Sequence, residues 1–262
     1  MRTVSAWLVG ALCAIPACVQ ETPSAARTES PPPRESVQAP AREPAQSSSA
    51  SEPASSRMPP EVENESKVGP PDAVEGCHQK LTALGVVFQP AEMPLKQSIG
   101  GVFTCGAHDA VVYKQGPTGL KVSPPALMTC RMALAFVGLE GLMQELSKQH
   151  LGVEIKRATH AGTYNCRKMV GFDLVSEHSY GNAIDLTSFN LADGSTVSVL
   201  KHFGKLEVPP RDPKSIFLRA LGEQAYDRNL VRVSLGPYWD AAHRDHFHFD
   251  MARYRVDGSR PH

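Results

Sequence analysis

The run His243-Arg244-Asp245-His246-Phe247-His248-Phe249-Asp250 constrains this chain more than any other stretch. Phe247 and Phe249 alternate with His246, His248 and Asp250. If both phenylalanines enter a core, the run is a strand, and the two histidines and the carboxylate share its other face. Two imidazoles two residues apart on one strand face are close enough to serve one metal ion and its bound water. The run does not complete a metal site by itself, so the remaining ligands must come from elsewhere.

The candidate source is Ser176-Glu177-His178-Ser179-Tyr180-Gly181-Asn182-Ala183-Ile184-Asp185. His178 falls in a turn, Asp185 on the strand that follows, and Gly181 permits a sharp change of direction between them. His178, Asp185 and His248 then form a set of two imidazoles and one carboxylate. Three protein ligands with an open fourth position is the pattern of catalytic zinc, which brings the pKa of a bound water down to about 7. The cofactor expected is Zn2+.

Only part of the 262-residue chain can pack around such a site. From Val19 to about Pro70 it is mostly Pro, Ser, Ala, Glu and Gln, and cannot bury enough apolar surface to offset its ordering entropy. The expected division is residues 1–18 as an export signal, 19–71 as a tether and 72–262 as one globular domain. The apolar run from Ala6 to Ala17 is too short to span a bilayer and has the size of a signal-peptide core. It ends Ile15-Pro16-Ala17-Cys18, which resembles a bacterial lipobox with Cys18 as the lipidated residue. Ordinary signal cleavage nearby is the alternative. Val19 after the cysteine resembles outer-membrane sorting in a Gram-negative host. A flexible tether of about 50 residues would span roughly 40 Å root-mean-square. The expected location is therefore the periplasm or cell envelope, at the outer membrane through the Cys18 anchor. Formal net charge is zero, which speaks against nucleic acid as the main partner. The domain is read as a monomer.

Export changes the meaning of the cysteines. Cys77, Cys105, Cys130 and Cys166 lie beyond the signal, and four in an oxidising compartment suggest two disulfides by any of three pairings. A structural zinc site competes weakly, because the chain has no C-x-x-C pair.

Helical spacing runs from Asp72 to Leu84. Short strands are expected at Val86–Phe88 before a turn at Pro90, at Val102–Cys105, at Val111–Tyr113 and at Leu120–Val122. Ser123-Pro124-Pro125 reads as a helix start, with a buried helix from Ala126 to about Gln149 closed by Gly152. Val153–Ala158 alternates as a strand, and Tyr164–Arg167 continues the β region. Ala183–Phe189 is a strand, and Asp193-Gly194 turns it into Thr196–Leu200. Asp212-Pro213 opens a helix to about Tyr226, Leu230–Leu235 is a strand, and the histidine run is the last. The fold class is α+β, with a mainly antiparallel sheet and helices packed on one side.

Ser176-x-His178-x-x-Gly181-x-Ala183-x-Asp185 with a downstream His-x-His pair resembles the lysostaphin, D-alanyl-D-alanine carboxypeptidase and hedgehog superfamily of zinc proteins. His243-x-x-His246-x-His248 resembles the spacing in penicillin-insensitive murein endopeptidases. A wider set is similar to the bacterial extensin-like C-terminal domain family: Leu127-Met128-Thr129-Cys130, Tyr164-Asn165-Cys166-Arg167, Ser176-Glu177-His178, Gly181-Asn182-Ala183-Ile184-Asp185 and Asp245-His246-Phe247-His248-Phe249-Asp250. It spans about Cys77 to Arg253. The resemblance implies a hedgehog and DD-peptidase-like zinc fold, with His178, Asp185 and His248 as metal ligands. It implies His246 acting on the bound water or leaving group, His243 as a second active-site histidine and Arg167 at the oxyanion. Carboxypeptidases of the superfamily place a glutamate before their last histidine ligand. Here that neighbourhood holds His246 and Phe247, which implies endopeptidase-like chemistry. Many extensin-like domains carry a further cysteine near Ala225-Tyr226; this chain does not, so the partner of Cys166 stays open.

The expected function is zinc-dependent hydrolysis of amide bonds in peptidoglycan peptides or cross-links, with a histidine shuttling the proton. The alternatives are a zinc-containing module that binds wall peptides without cutting them, and a zinc hydrolase of an ester or phosphate. His78, His108, His150, His160, His202 and His262 read as ordinary core or surface residues. Arg167 could instead pair with Glu177 or Asp250, and Asp250 could orient a ligand histidine or lie on the surface. Trp239 and Tyr238 read as core.

Overall fold

A computed structural model describes residues 69–98, 100–170 and 172–261. The export signal, the Cys18 lipobox and nearly all of the tether lie outside them. In chain order the elements are helix α1 (Cys77–Ala83), strands β1 (Val87–Gln97), β2 (Thr104–Gln115) and β3 (Lys121–Met128), helix α2 (Cys130–Leu151), β4 (Ile155–His160), a 3-10 turn (Glu177–Tyr180), β5 (Ala183–Leu191), β6 (Thr196–Ser198), α3 (Val199–His202), α4 (Pro213–Asp227), β7 (Val233–Leu235), a second 3-10 turn (Ala241–His243), β8 (Phe247–Asp250) and β9 (Val256–Gly258).

Among the described residues the nine strands form one sheet in the order β1-β2-β3-β4-β5-β8-β7-β9, with β6 pairing the far half of β5. Two pairs, β3 with β4 and β7 with β9, are parallel, and the others are antiparallel. The class is α+β with a mostly antiparallel sheet, as expected. No helix among the described residues is long and apolar enough to cross a membrane.

Prolines account for the departures from the sequence reading in β1 and β3. The strand expected to stop before Pro90 runs on to Gln97. It is an edge strand, Pro90 stands opposite Val111, and Pro94 falls in the irregular register between Met93 and Lys96. Edges and bulges are where a strand tolerates a residue without an N–H. The expected helix start at Ser123-Pro124-Pro125 is instead the middle of β3. There the β2 ladder is interrupted between Tyr113 and Gln115, and β3 pairs with β4 through residues Lys121–Ser123. The helix begins four residues later than expected, at Cys130, where the Thr129 side chain accepts from the Met132 N–H. Tyr164–Arg167 is irregular apart from the neighbouring Lys168–Val175 bridge. Thr196–Leu200 is a strand only to Ser198, and β9 had no sequence signal.

The two faces of the sheet differ. Ile184 stands opposite Phe249 and Leu186 opposite Phe247, and all four join the main core with residues of every helix, including Leu81, Phe136, Val199 and Phe217. Fully burying each such side chain is worth about 1.5–3 kcal/mol. The alternate residues of the same strands, Asp185 and His248, face away from the helices. Beside them Trp239, Tyr254, Leu174, Val233, Ala252 and Val256 form a smaller second cluster. The cysteines pair as Cys77–Cys130 and Cys105–Cys166, which excludes them from a structural zinc site. The first bond ties α1 to the start of α2. The second ties β2 to the Asn165–Arg167 loop beside the site.

Candidate metal centre

His178 is carried on the 3-10 turn after Ser176 and is 3% exposed. Gly181 ends that turn at φ 64, where a Cβ would stand 2.5 Å from the Met93 methyl, so glycine is needed for both conformation and space. Its carbonyl accepts from the Thr129 N–H at 2.8 Å, and Asn182 accepts from the Thr129 hydroxyl at 3.1 Å. Asn182 also donates to Glu177 at 2.7 Å. The cap of α2 thus fixes the turn that presents His178. Asp185 and His248 are opposed in the β5–β8 ladder.

These three bring one atom each to a common point. His178 Nε2 lies 3.1 Å from Asp185 Oδ1 and 3.1 Å from His248 Nδ1, and His248 Nδ1 lies 3.0 Å from Asp185 Oδ1. Ligands ~2.0–2.1 Å from a tetrahedral ion stand roughly 3.3 Å apart, so the triangle has the right size for zinc. The tautomers can be assigned from the outer contacts. His178 Nδ1 faces the Thr163 carbonyl at 3.2 Å, which can only accept, so Nδ1 carries the hydrogen and Nε2 a lone pair. His248 Nε2 faces the Asp250 carboxylate at 2.9 Å, so its Nδ1 carries the lone pair. Two lone pairs and a carboxylate oxygen aimed at one another repel unless a cation sits among them. The donor set fits zinc, with a carbonyl and a carboxylate holding the two imidazoles from behind.

The electrostatics agree. With a proton in place of a metal ion, burial opposes charge on His248, but Asp185 and Asp250 outweigh it and push the ring up to about 10. Burial also opposes charge on Asp185, yet its bonds from His178 and His248 hold it well below the usual carboxylate range. Asp250 is 1% exposed, so it is an orienting group and not a surface residue. Glu177, buried beside it, is pushed up to about 7 by burial and by the Asp250 charge. The Tyr254 hydroxyl is buried with no hydrogen-bond partner among the described residues, and burial followed by the Asp250 and Glu177 charges raises its pKa.

The remaining expected residues line a cavity of about 330 Å³ together with Asp185 and His248. His246 Nε2 is 3.8 Å from Asp185 Oδ1, and His246 Nδ1 is 2.8 Å from Asp245. The His243 ring lies 5.2 Å from that of His246 and 6.1 Å from that of His248. Arg167 is held near the cavity by two bonds between its backbone and the Ser179 hydroxyl, while its guanidinium donates to the Lys168 carbonyl and not to Glu177 or Asp250. It lines the cavity without touching the ligand triangle. Ser176 caps the turn through a long 3.4 Å contact to the His178 N–H and also lines the cavity.

One site residue was not anticipated. Asp240 accepts from His243 Nδ1 at 2.7 Å and caps the second 3-10 turn through the Ala242 and His243 N–H groups. This bond leaves His243 Nε2 as the free ring nitrogen. Burial lowers the His243 pKa, against the raising effect of Asp240. The available signal was the Asp-x-x-His spacing, which suits a cap three residues before the residue it supports. Trp239 is buried and also lines the cavity. Tyr238 packs against Phe203, with its hydroxyl bonded by Arg219, so it serves the core as expected.

The family described as Extensin-like protein C-terminus matches residues 75–260. The chain belongs to this family. The match covers every element from α1 to β9 and all the residues of the candidate metal centre. No curated protein and no solved structure matches this extensin-like chain.

Proposed function

We propose that this extensin-like domain is a zinc peptidase that hydrolyses amide bonds in peptidoglycan peptides or cross-links. The observation that carries the reading is the triangle of three electron-pair donors, two of which, Asp185 and His248, line one cavity with the carboxylate-backed His243. His178 Nε2, Asp185 Oδ1 and His248 Nδ1 would hold the ion. Bound zinc supplies a Lewis acid and a water with a pKa near 7.

The rest falls to the chain's own side chains. Asp240 fixes His243 with its hydrogen on Nδ1, so Nε2 is a proton acceptor, and burial keeps the ring neutral at pH 7. His246 is oriented in the same way by Asp245 and can deliver a proton to the leaving amine. Arg167 supplies positive charge at the cavity for a developing oxyanion. The resemblance to the lysostaphin, carboxypeptidase and hedgehog superfamily, and to murein endopeptidases in the His243-x-x-His246-x-His248 spacing, supports a wall-peptide substrate and a zinc-peptidase fold. The N-terminal sequence supports export and attachment through Cys18 to the outer membrane, with the tether giving reach to the wall. The domain would act as a monomer, without nucleic acid.

A non-catalytic zinc module that holds wall peptides is the second reading. Two histidines each backed by a carboxylate favour the enzyme, because a pure binder needs no proton shuttle. Mass spectrometry of material released from purified sacculi by the full chain separates them. New peptide termini that disappear with a chelator support the peptidase. Binding to sacculi with no new products at any pH supports the module and overturns the peptidase.

A further inference from the structure

Sheet register places the metal ligands and a set of apolar side chains in the same rows. Asp185 stands opposite His248, and His248 opposite Leu235. In the adjoining row Asp250 stands opposite Val233, and Val233 opposite Val256. Side chains alternate along a strand, so all six project from the face turned away from the helices. The cavity over the ligands is lined farther on by Leu235, Val233, Val256, Trp239 and Tyr254. Gly258 leaves the room this wall needs: a Cβ there would stand 2.7 Å from Trp239 Cε3 and 2.9 Å from Leu235 Cδ2. Asp185, His248 and this carbon surface thus share one cavity.

We propose that this wall is a specificity subsite, holding an aliphatic side chain on the residue next to the amide bond that lies at the metal centre. The inference rests on the peptidase reading and narrows its substrates to peptides with an apolar residue on the β7–β9 side of the scissile bond. A charged side chain packed against Val233, Leu235 and Val256 would lose its water there. Each methylene buried in the subsite is worth roughly fourfold in affinity.

The test uses the full chain carrying Trp7→Phe, which leaves Trp239 in the cavity wall as the sole tryptophan. Synthetic wall-type peptides are prepared with Ala, Leu, Lys or Glu at each residue flanking an amide, and are titrated by fluorescence with zinc chelated. Peptides with Leu at one position saturate the Trp239 signal at least tenfold below those with Glu, and Leu235→Asp abolishes that preference. Should Leu235→Asp no longer bind zinc, Leu235→Ser is read instead, and it weakens the Leu peptide about tenfold. Equal binding of all four within threefold, or an unchanged order in the variant, overturns the subsite. Ordered binding with no cleavage after zinc is restored keeps the subsite and overturns the peptidase reading. Cleavage indifferent to the flanking residue does the reverse.

Discussion

Asp185 and His248 stand directly opposite each other across the β5–β8 ladder, with His248 Nδ1 3.0 Å from Asp185 Oδ1. Their placement follows from the same register that buries Phe247 and Phe249. A slip of β8 by one residue would turn His248 into the core and both phenylalanines out, so packing of the apolar face fixes the polar one. The third donor, His178, comes from a turn tied to the cap of α2.

Asp250 holds His248 from behind, through Nε2 at 2.9 Å. Asp250→Asn weakens zinc affinity by about 10–100-fold and leaves the fold intact. Competition with a chromogenic chelator reads this directly, and equal affinity in parent and variant would remove Asp250 from the site.

Asp240 acts through His243. His243→Ala lowers kcat by about 10²–10⁴ with zinc still bound. Asp240→Ala lowers kcat in the parent and also costs about 1 kcal/mol as a lost cap. In the His243→Ala background it costs only the stability. A further fall in kcat in the double variant would show that Asp240 works by another route.

The two disulfides differ in consequence. Each closes a loop large enough to contribute about 4 kcal/mol in the chain-entropy account. Replacing Cys77 and Cys130 by alanine lowers the denaturation midpoint while zinc affinity stays near that of the parent. Replacing Cys105 and Cys166 also loosens the loop that carries Arg167, so kcat/KM falls as well as the midpoint. Denaturant titrations and kinetics on the two double variants distinguish these outcomes.

His160 gives a pH dependence beside the ligand triangle, within reach of the charges on Asp185 and His178. It is buried, its Nε2 faces the Pro124 carbonyl at 2.8 Å, and its Nδ1 has no partner among the described residues. Burial holds its pKa below the usual 6.5. The unfolded chain then takes up the proton more readily, so this contribution to stability is complete above pH ~6.5 and is lost as pH falls below it. His160→Gln keeps a donor for Pro124 and has no such loss. The stability difference between parent and variant therefore shifts towards the variant as pH falls from 7.5 to 5.5. A difference constant across that range would contradict the assignment.

How much of this was legible depended on whether the signal was local. The alternation His246-Phe247-His248-Phe249 shows strand and polar face together, and Gly181 marks the turn between His178 and Asp185. Pro124-Pro125 misled because proline is equally suited to a first helical turn and to a break in a ladder, and only the partner strands decide. Thr129, the true cap, lies four residues on and looks like any polar residue. Asp240 was hidden for the same reason, since an acidic residue in a turn is ordinary until the ring it supports is located. The cysteine pairing depends on which segments meet in space, and spacing along the chain does not record that.

The proposed zinc site is tested most directly by zinc content after equilibration in a zinc buffer, measured on the full chain and on His248→Ala and His243→Ala. A zinc site at His178, Asp185 and His248 gives about one zinc ion per chain in the parent and in His243→Ala, and less than about a tenth of that in His248→Ala. A parent that holds no zinc, or a His248→Ala variant that holds it as well as the parent, would contradict it.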